Sequence, residues 1–441
     1  MDGGIKMVSE RIRQILEEKS QRIKDVINVK QPDRVPAIGF SDMFFVANQT
    51  ELTYKDILYK PMKAARAWFK VFNRYDFDIH PGFFITLAAK LNDKADHQVI
   101  KYPGAANPNL RLGDNQPFQY LDNEWMTVDE YKYFNTDMTG FLLRELIPRQ
   151  SPGLGGFSKT PAASNLSLFG HMTLPLFFME KDVRSMIKRY KRIKTMMAMI
   201  GTVLGQRNYN KKMKKKGNIL PYMCGLTAAP FDAMSIFIRG MRGTMLDMRR
   251  NPEELKTAVN IIADSIVRSI GSLDAMFGTP EEYSIPMSMM AIHRGSDSFM
   301  SNDQFEEFYW PSFKRVMEGM IEKGYTPMPF FEGENNDRIP YLAEFAKEHP
   351  GKCIYWFHTI DMKKVKEVMG DYVCIRGNVP ASLLITGTPR QVDEYVKQLI
   401  EDCGEGGGYM VDTGTGIPNE ARHENVVAMV EATHKYGVYR K

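Results

Sequence analysis

The sequence predicts an α/β fold, a (β/α)8 TIM-type barrel, on three observations. Short apolar runs such as "TPMPFF", "CIYWF", "VCIRGNV" and "GGYMVDTG" each follow a helical pattern, the signature of a parallel sheet. No GxGxxG or GxxxxGK[ST] occurs, and "GEGGGY" precedes a strand instead of opening a helix, so a dinucleotide-binding fold lacks its phosphate loop. Acids and histidines cluster where the apolar runs end, the face on which a barrel builds its site.

Taken in order, residues 8–29 read as a charged amphipathic helix, closed by "KQPDRVP", whose prolines force extended chain into the strand "VPAIGF". A helical pattern over 54–75 leads to "FDIHPGFF", a strand entering a turn. Residues 100–180 are rich in Pro, Asn, Gly and aromatics with little periodicity, and are expected as a long insertion covering the barrel mouth. Helical patterns over 182–209 precede "NILPYMCGLTAAPFD", an apolar strand. "PEELKTAVNIIADSIVRSI" opens with Pro and two acids in its first turn, a helix start. Strands at "YSIPMSMMAIH" and "TPMPFF" then lead to helices over 302–323 and near 337–348. The expected organisation is one barrel domain over 1–441, with an N-terminal helical segment over 1–30 and the insertion at about 100–180.

Composition narrows the class. With 43% apolar and 25% charged residues the chain can bury a large core, and a net charge of +5 argues against a dedicated nucleic-acid binder. "KKMKKK" at 211–216 reads as a solvated helix end, or as a dock for an acidic partner. The 30 methionines read as soft core filling. Four cysteines lie far apart with no CxxC or HxC, which fits reduced thiols of a cytoplasmic protein. The charged start is no signal peptide and no long apolar run occurs, so no membrane association is expected.

On a barrel, His293 and Asp297 follow one strand, Glu332 and Glu334 the next, then His358, Asn378 and Asp412 to Thr415, so all converge on one mouth. Each alone has an ordinary explanation, an N-cap for an acid or a satisfied buried imidazole for a histidine; their coincidence on successive strand ends favours a site. The aromatics Phe44, Phe45, Phe83 and Trp125 are candidate flat walls for a ring.

"KQPDRVP", "APFDAMSIFIRGMRGTMLDMRRNPEEL", "SDSFMSNDQFEEFYWPSFKRV", "IRGNVPASLLITGTPRQVDEYVKQLI" and "GGYMVDTGTGIPNEARHENVVAMVEATHKYG" together resemble the uroporphyrinogen decarboxylase superfamily, over most of 20–50 and 220–437. The decarboxylases grip porphyrinogen carboxylates with an arginine-bearing "RQAGRY"-type stretch; here the matching "GFSDMFFVANQ" has no arginine, which turns the resemblance toward the corrinoid-dependent methyltransferase branch. That branch holds zinc with an HxC pair and a later cysteine, and these positions fall on Phe330, Glu332 and Thr415. Carboxylate and imidazole in place of thiolates leave zinc a harder Lewis acid, suited to polarising an oxygen.

The chain is therefore similar to the methyltransferase I component of anaerobic aryl-ether O-demethylases. The resemblance implies Zn(2+) held by Glu332 and His358 with Glu334 or Asp412, catalytic His293 and Glu334, and Asn378 toward the cofactor. It implies methyl transfer from a methoxylated aromatic to a corrinoid (cobalamin) carried on a partner corrinoid protein, because no DxHxxG motif is present. A homodimer stays open, since superfamily members are often dimers. The alternatives are a corrinoid:thiol (coenzyme M-type) or corrinoid:folate methyltransferase and, behind these, a metal-free corrinoid-binding module or a porphyrinogen decarboxylase.

Overall fold

The computed structural model describes residues 2–83, 88–191, 193–221, 227–272 and 286–439. Parts of the predicted runs "FDIHPGFF", "NILPYMCGLTAAPFD" and "YSIPMSMMAIH" lie outside the described residues, as does Cys224.

Six parallel strands pair in chain order: Thr227–Ala228, Met287–Ile292, Thr326–Glu334, Ile354–Thr359, Cys374–Arg376 and Tyr409–Met410. Parallel bridges close the ring, Ala37 to Val411, Ile38 to Ile79, and Ile79 to Ile219. Eight strand positions follow, the third represented by Ile219 and by Thr227–Ala228. The predicted first two strands survive only as such bridges. The barrel expectation holds.

Period-two alternation sorts the strand residues. Ile38, Ile79, Ile219, Met287, Met328, Ile354, Cys374 and Met410, one from each position, form an inner layer. Their neighbours Ile375, Tyr355, Phe331 and Met290 face outward into the larger core shared with the helices. Three cysteines, Cys353, Cys374 and Cys403, are buried and free, and burial pushes the Cys403 thiol up to about 12.

The first helix, Asp2–Ile27, begins before the predicted residue 8 and sets Ile23, Val26 and Ile27 against the inner layer, plugging the amino end of the barrel. "PDRVP" supplies the clamp. Asp33 takes both ends of the Arg22 guanidinium (2.7 and 2.6 Å), while buried Asp78 accepts from Arg22, from Arg34 (2.8 and 3.0 Å) and from the Ala37 amide (2.9 Å).

Residues 100–180 depart from the expected irregular chain. They form a small sheet, Ile100–Pro103 with Arg111–Leu112 and Gln119–Tyr120, followed by helices that include Tyr131–Thr136 and Ala163–Met179. Strands this short carry too few residues to show a period. The segment packs on chain that follows strand ends, through Glu124 to Arg239 (2.6 Å), Tyr131 to Asp247 (2.9 Å) and Phe118 against Phe44 (6.0 Å between centroids). It therefore lies on the carboxyl-end side of the barrel. Among the described residues no helix is long and apolar enough to cross a membrane.

Candidate active site

The same alternation that builds the inner layer places the mouth. Two residues beyond the Thr326–Glu334 strand's Phe330 comes Glu332; Trp356 leads to His358, Arg376 to Asn378, and Ala291 to His293. Phe40, Phe330 and Trp356 form an aromatic floor, with Trp356 centred 5.1 Å from Phe40 and 4.5 Å from Phe330. Arg376 stacks on Trp356 (4.1 Å to the centroid) and ion-pairs with Asp412, its Nε 2.8 Å from the carboxylate. The Trp356 indole N–H donates to the Thr413 carbonyl (2.8 Å).

Above this floor His293 Nδ1 and the Glu332 carboxylate are in direct hydrogen-bond contact. Burial works against charge on His293, but the bond to Glu332 and the field of Asp232 prevail and raise its pKa above the ordinary imidazole value. The bond from His293 in turn lowers Glu332 below the usual carboxylate value, against burial. Both shifts favour the imidazolium–carboxylate form of the pair.

Two acids that the sequence reading did not single out shape the mouth. Asp232, fully buried, accepts the backbone N–H of His293 (2.8 Å), that of Arg294 (2.9 Å) and the Tyr309 hydroxyl (2.9 Å), and so fixes the strand end that carries His293. Burial raises its pKa despite these donors. Its signal was "APFD", an acid in the first turn of the helix that opens at Pro230. Asp42, in "GFSDMFF", reaches solvent, yet loss of hydration and then Glu420 push it up to about 6.

His358 accepts the Gly333 amide on Nδ1 (3.2 Å), so in the neutral ring Nε2 carries the hydrogen. Gly333 has φ +76°, a conformation glycine adopts without strain, and the pairing register shifts there between Phe331 and Glu334. Asn378 is buried, and its amide reaches the carbonyls of His358 (3.4 Å) and Ile360 (3.3 Å), so it braces the strand end beneath His358.

The zinc set fits in chemistry but is not assembled. Glu332, His293 and His358 are nitrogen and oxygen donors of the kind zinc takes. Among the described residues, however, the only three such donors within 4.8 Å of one another are Glu318, Glu348 and His349, away from the mouth. Asp412 is fully buried against Arg376, because a residue two positions deeper than Gly414 points into the barrel. The Glu334 carboxylate makes no hydrogen bond or ion pair among the described residues.

The four predicted aromatic walls are engaged in packing. Phe44 stacks on Tyr54 (4.3 Å), Phe45 meets Phe72 (5.9 Å), Phe83 lies between Trp68 (5.6 Å) and Tyr209 (6.0 Å), and Trp125 leans on the main core. Of the floor aromatics, Phe40 is half-buried and Phe330 is buried. Asp297 accepts the Asp337 amide (3.1 Å) and stands beside buried Arg338, a structural role.

The family model "Uroporphyrinogen decarboxylase (URO-D)" matches residues 179–436. The chain belongs to the uroporphyrinogen decarboxylase family. Uroporphyrinogen decarboxylase from Pseudoalteromonas atlantica is 35% identical over 190 residues, 42% of this chain and 49% of that protein. That from Danio rerio is 27% identical over 225 residues, 48% and 57% respectively. The chain spans about half the length of the curated relatives it matches. A solved methyltransferase from Methanosarcina mazei shares the fold, with TM-score 0.56 and 14% identity, covering 95% of this chain and 98% of that one.

The family's motifs have structural work to do here. In "GTPRQ", Thr388 caps a helix reciprocally with Gln391, and Pro389 occupies its first turn. In "HENV", Asn425 donates to the carbonyls of Leu384 (3.0 Å) and Gly387 (2.9 Å), closing the end of the Ala381–Thr386 helix.

Proposed function

We propose that this protein is a methyltransferase, taking a methyl group from the oxygen of a methoxylated aromatic and passing it to the Co(I) of a corrinoid held by a separate protein. The observation that carries the reading is the His293–Glu332 pair set over the aromatic floor of Phe40 and Phe330. An arene lies flat on such a floor, and demethylation of its ether makes a phenoxide that needs a proton. His293, kept protonated by Glu332, supplies that proton at the ether oxygen as the carbon–oxygen bond breaks. His358, with hydrogen on Nε2, donates a second hydrogen bond to the developing charge. The fold shared with a methyltransferase agrees with this reading, and the strand end at 39–49, without an arginine, offers no clamp for a polycarboxylate.

Zinc belongs to the finer reading: Glu332 and His358 would hold it once Glu332 turns from His293, and the ion would supply Lewis acidity at the same oxygen. The test supplies reduced cobalamin with a panel of methoxyarenes, follows loss of the Co(I) absorbance and release of the phenol, and measures zinc per chain. Phenol release matched to Co(I) consumption is expected. No turnover with any O-methyl donor, alongside turnover of methylcobalamin with a thiol, would assign the reverse chemistry instead.

A further inference from the structure

The helix Ala163–Met179 presents an apolar surface to solvent. It contains no acid, lysine or arginine, and Leu166, Gly170, Thr173 and Phe177 along one side are half-buried. The opposite side presents Leu168 (71% exposed), Phe169 (55%), Met172 (58%), Leu176 (61%) and Met179 (65%) to solvent. Apolar patches of this size on a folded surface mark a binding face. On the helix Lys181–Tyr190, which packs beside it, and just after its end, Lys181, Arg184, Lys188 and Lys191 are exposed. Arg184, Lys188 and Lys191 ring Ile187 in a shallow concavity. These four cations make no ion pair among the described residues, and the nearby acids in the sequence are Glu180 and Asp182.

We propose that this face rests on an anionic phospholipid surface, with the apolar stripe in the headgroup boundary and the Arg184–Lys188–Lys191 seat on lipid phosphates. The charge pattern selects this occupant. Protein interfaces are depleted in lysine, whereas anionic bilayers attract lysine and arginine beside an apolar helix. A second copy would bring cation against cation. The helix does not cross the bilayer: it has 17 residues, is bent at Phe169 and contains Pro175. This attachment is independent of the methyl-transfer reading.

The experiment sediments the full chain with vesicles of phosphatidylcholine alone and of phosphatidylcholine mixed with phosphatidylglycerol. Binding to the anionic vesicles that weakens with salt is expected, with little binding to the neutral ones. The variant Leu168→Glu/Met172→Glu/Leu176→Glu should lose binding about tenfold or more, and Arg184→Glu/Lys188→Glu should lose it for anionic vesicles. Should the first variant misfold by circular dichroism, the second, confined to exposed cations, decides alone. Absence of binding at low salt, or binding that survives both variants, overturns the proposal. So does a chain that sediments as a dimer, binds no vesicles and turns monomeric in the first variant, since a second copy then covers the stripe.

Discussion

The two ends of the barrel use the same eight strands for opposite purposes. At the amino end every inward residue is aliphatic or a sulfur side chain, sealed by Ile23, Val26 and Ile27, and the charges nearby, Arg22, Arg34 and Asp78, satisfy one another out of solvent. At the carboxyl end titratable side chains reach solvent: His293 is 36% and Glu332 47% exposed at the side chain. Burial with mutual satisfaction gives stability; accessibility with a polarised proton gives chemistry. The difference predicts that damage at one end should leave the other's property intact.

The largest effect is expected at the plug. Asp78→Ala removes the buried carboxylate that Arg22 and Arg34 share at the amino end, leaving Arg22 its pairing with Asp33 alone, at a cost of about 3–5 kcal/mol. Urea unfolding measures it, and a loss below about 1 kcal/mol would show that the clamp is peripheral. The counterpart is His293→Ala. On the proposed chemistry it lowers methyl transfer by about 10²–10⁴-fold while the unfolding midpoint barely moves, because the ring is not a core side chain. A variant that unfolded as readily as Asp78→Ala would erase the contrast between the ends.

Asn378→Ala probes the boundary between them. The side chain is buried and bridges the carbonyls of His358 and Ile360, so its removal should cost about 1–3 kcal/mol. The His358 end then moves, and transfer should fall with it. Loss of stability with full activity would confine Asn378 to scaffolding.

Asn378 and Asp412 also show where sequence reasoning stops. Alternating β and α patterns gave the barrel, because parallel strands and their helices leave long periodic signals. Strand ends gave His293, Glu332 and His358. Depth along a strand is another matter. Asp412 and His358 both close apolar runs, but the last turn of the chain decides which side chain clears the barrel wall, and Asp412 stops one layer short, against Arg376. Phe40 went unread as a ring wall for the converse reason: an aromatic in a strand looks like core until its neighbours above it prove to be polar. The small sheet within 100–180 consists of strands of two to four residues, too short to register in any pattern.

The smallest expected effect is the pH dependence of stability from the His293–Glu332 pair, and its sign is fixed by the two shifts. The His293 pKa is raised in the fold, so its contribution is complete below the unfolded value, near 6.5, and is lost as pH rises through the higher folded value. Glu332 is lowered, so its contribution is complete above its unfolded value, near 4.5, and is lost as pH falls through the lower folded one. Between those limits the pair is intact. Because both side chains are more than a third exposed, solvent screens the interaction and the stability change is slight. Activity should report the same window more sharply, declining as pH rises through the raised folded value of His293 and the ring loses its proton. In Glu332→Gln the alkaline decline should move to lower pH, since the amide no longer holds the imidazolium. A decline that stays in place, with activity instead failing on the acid side as zinc is released, would make the metal and not His293 the group that answers the leaving oxygen.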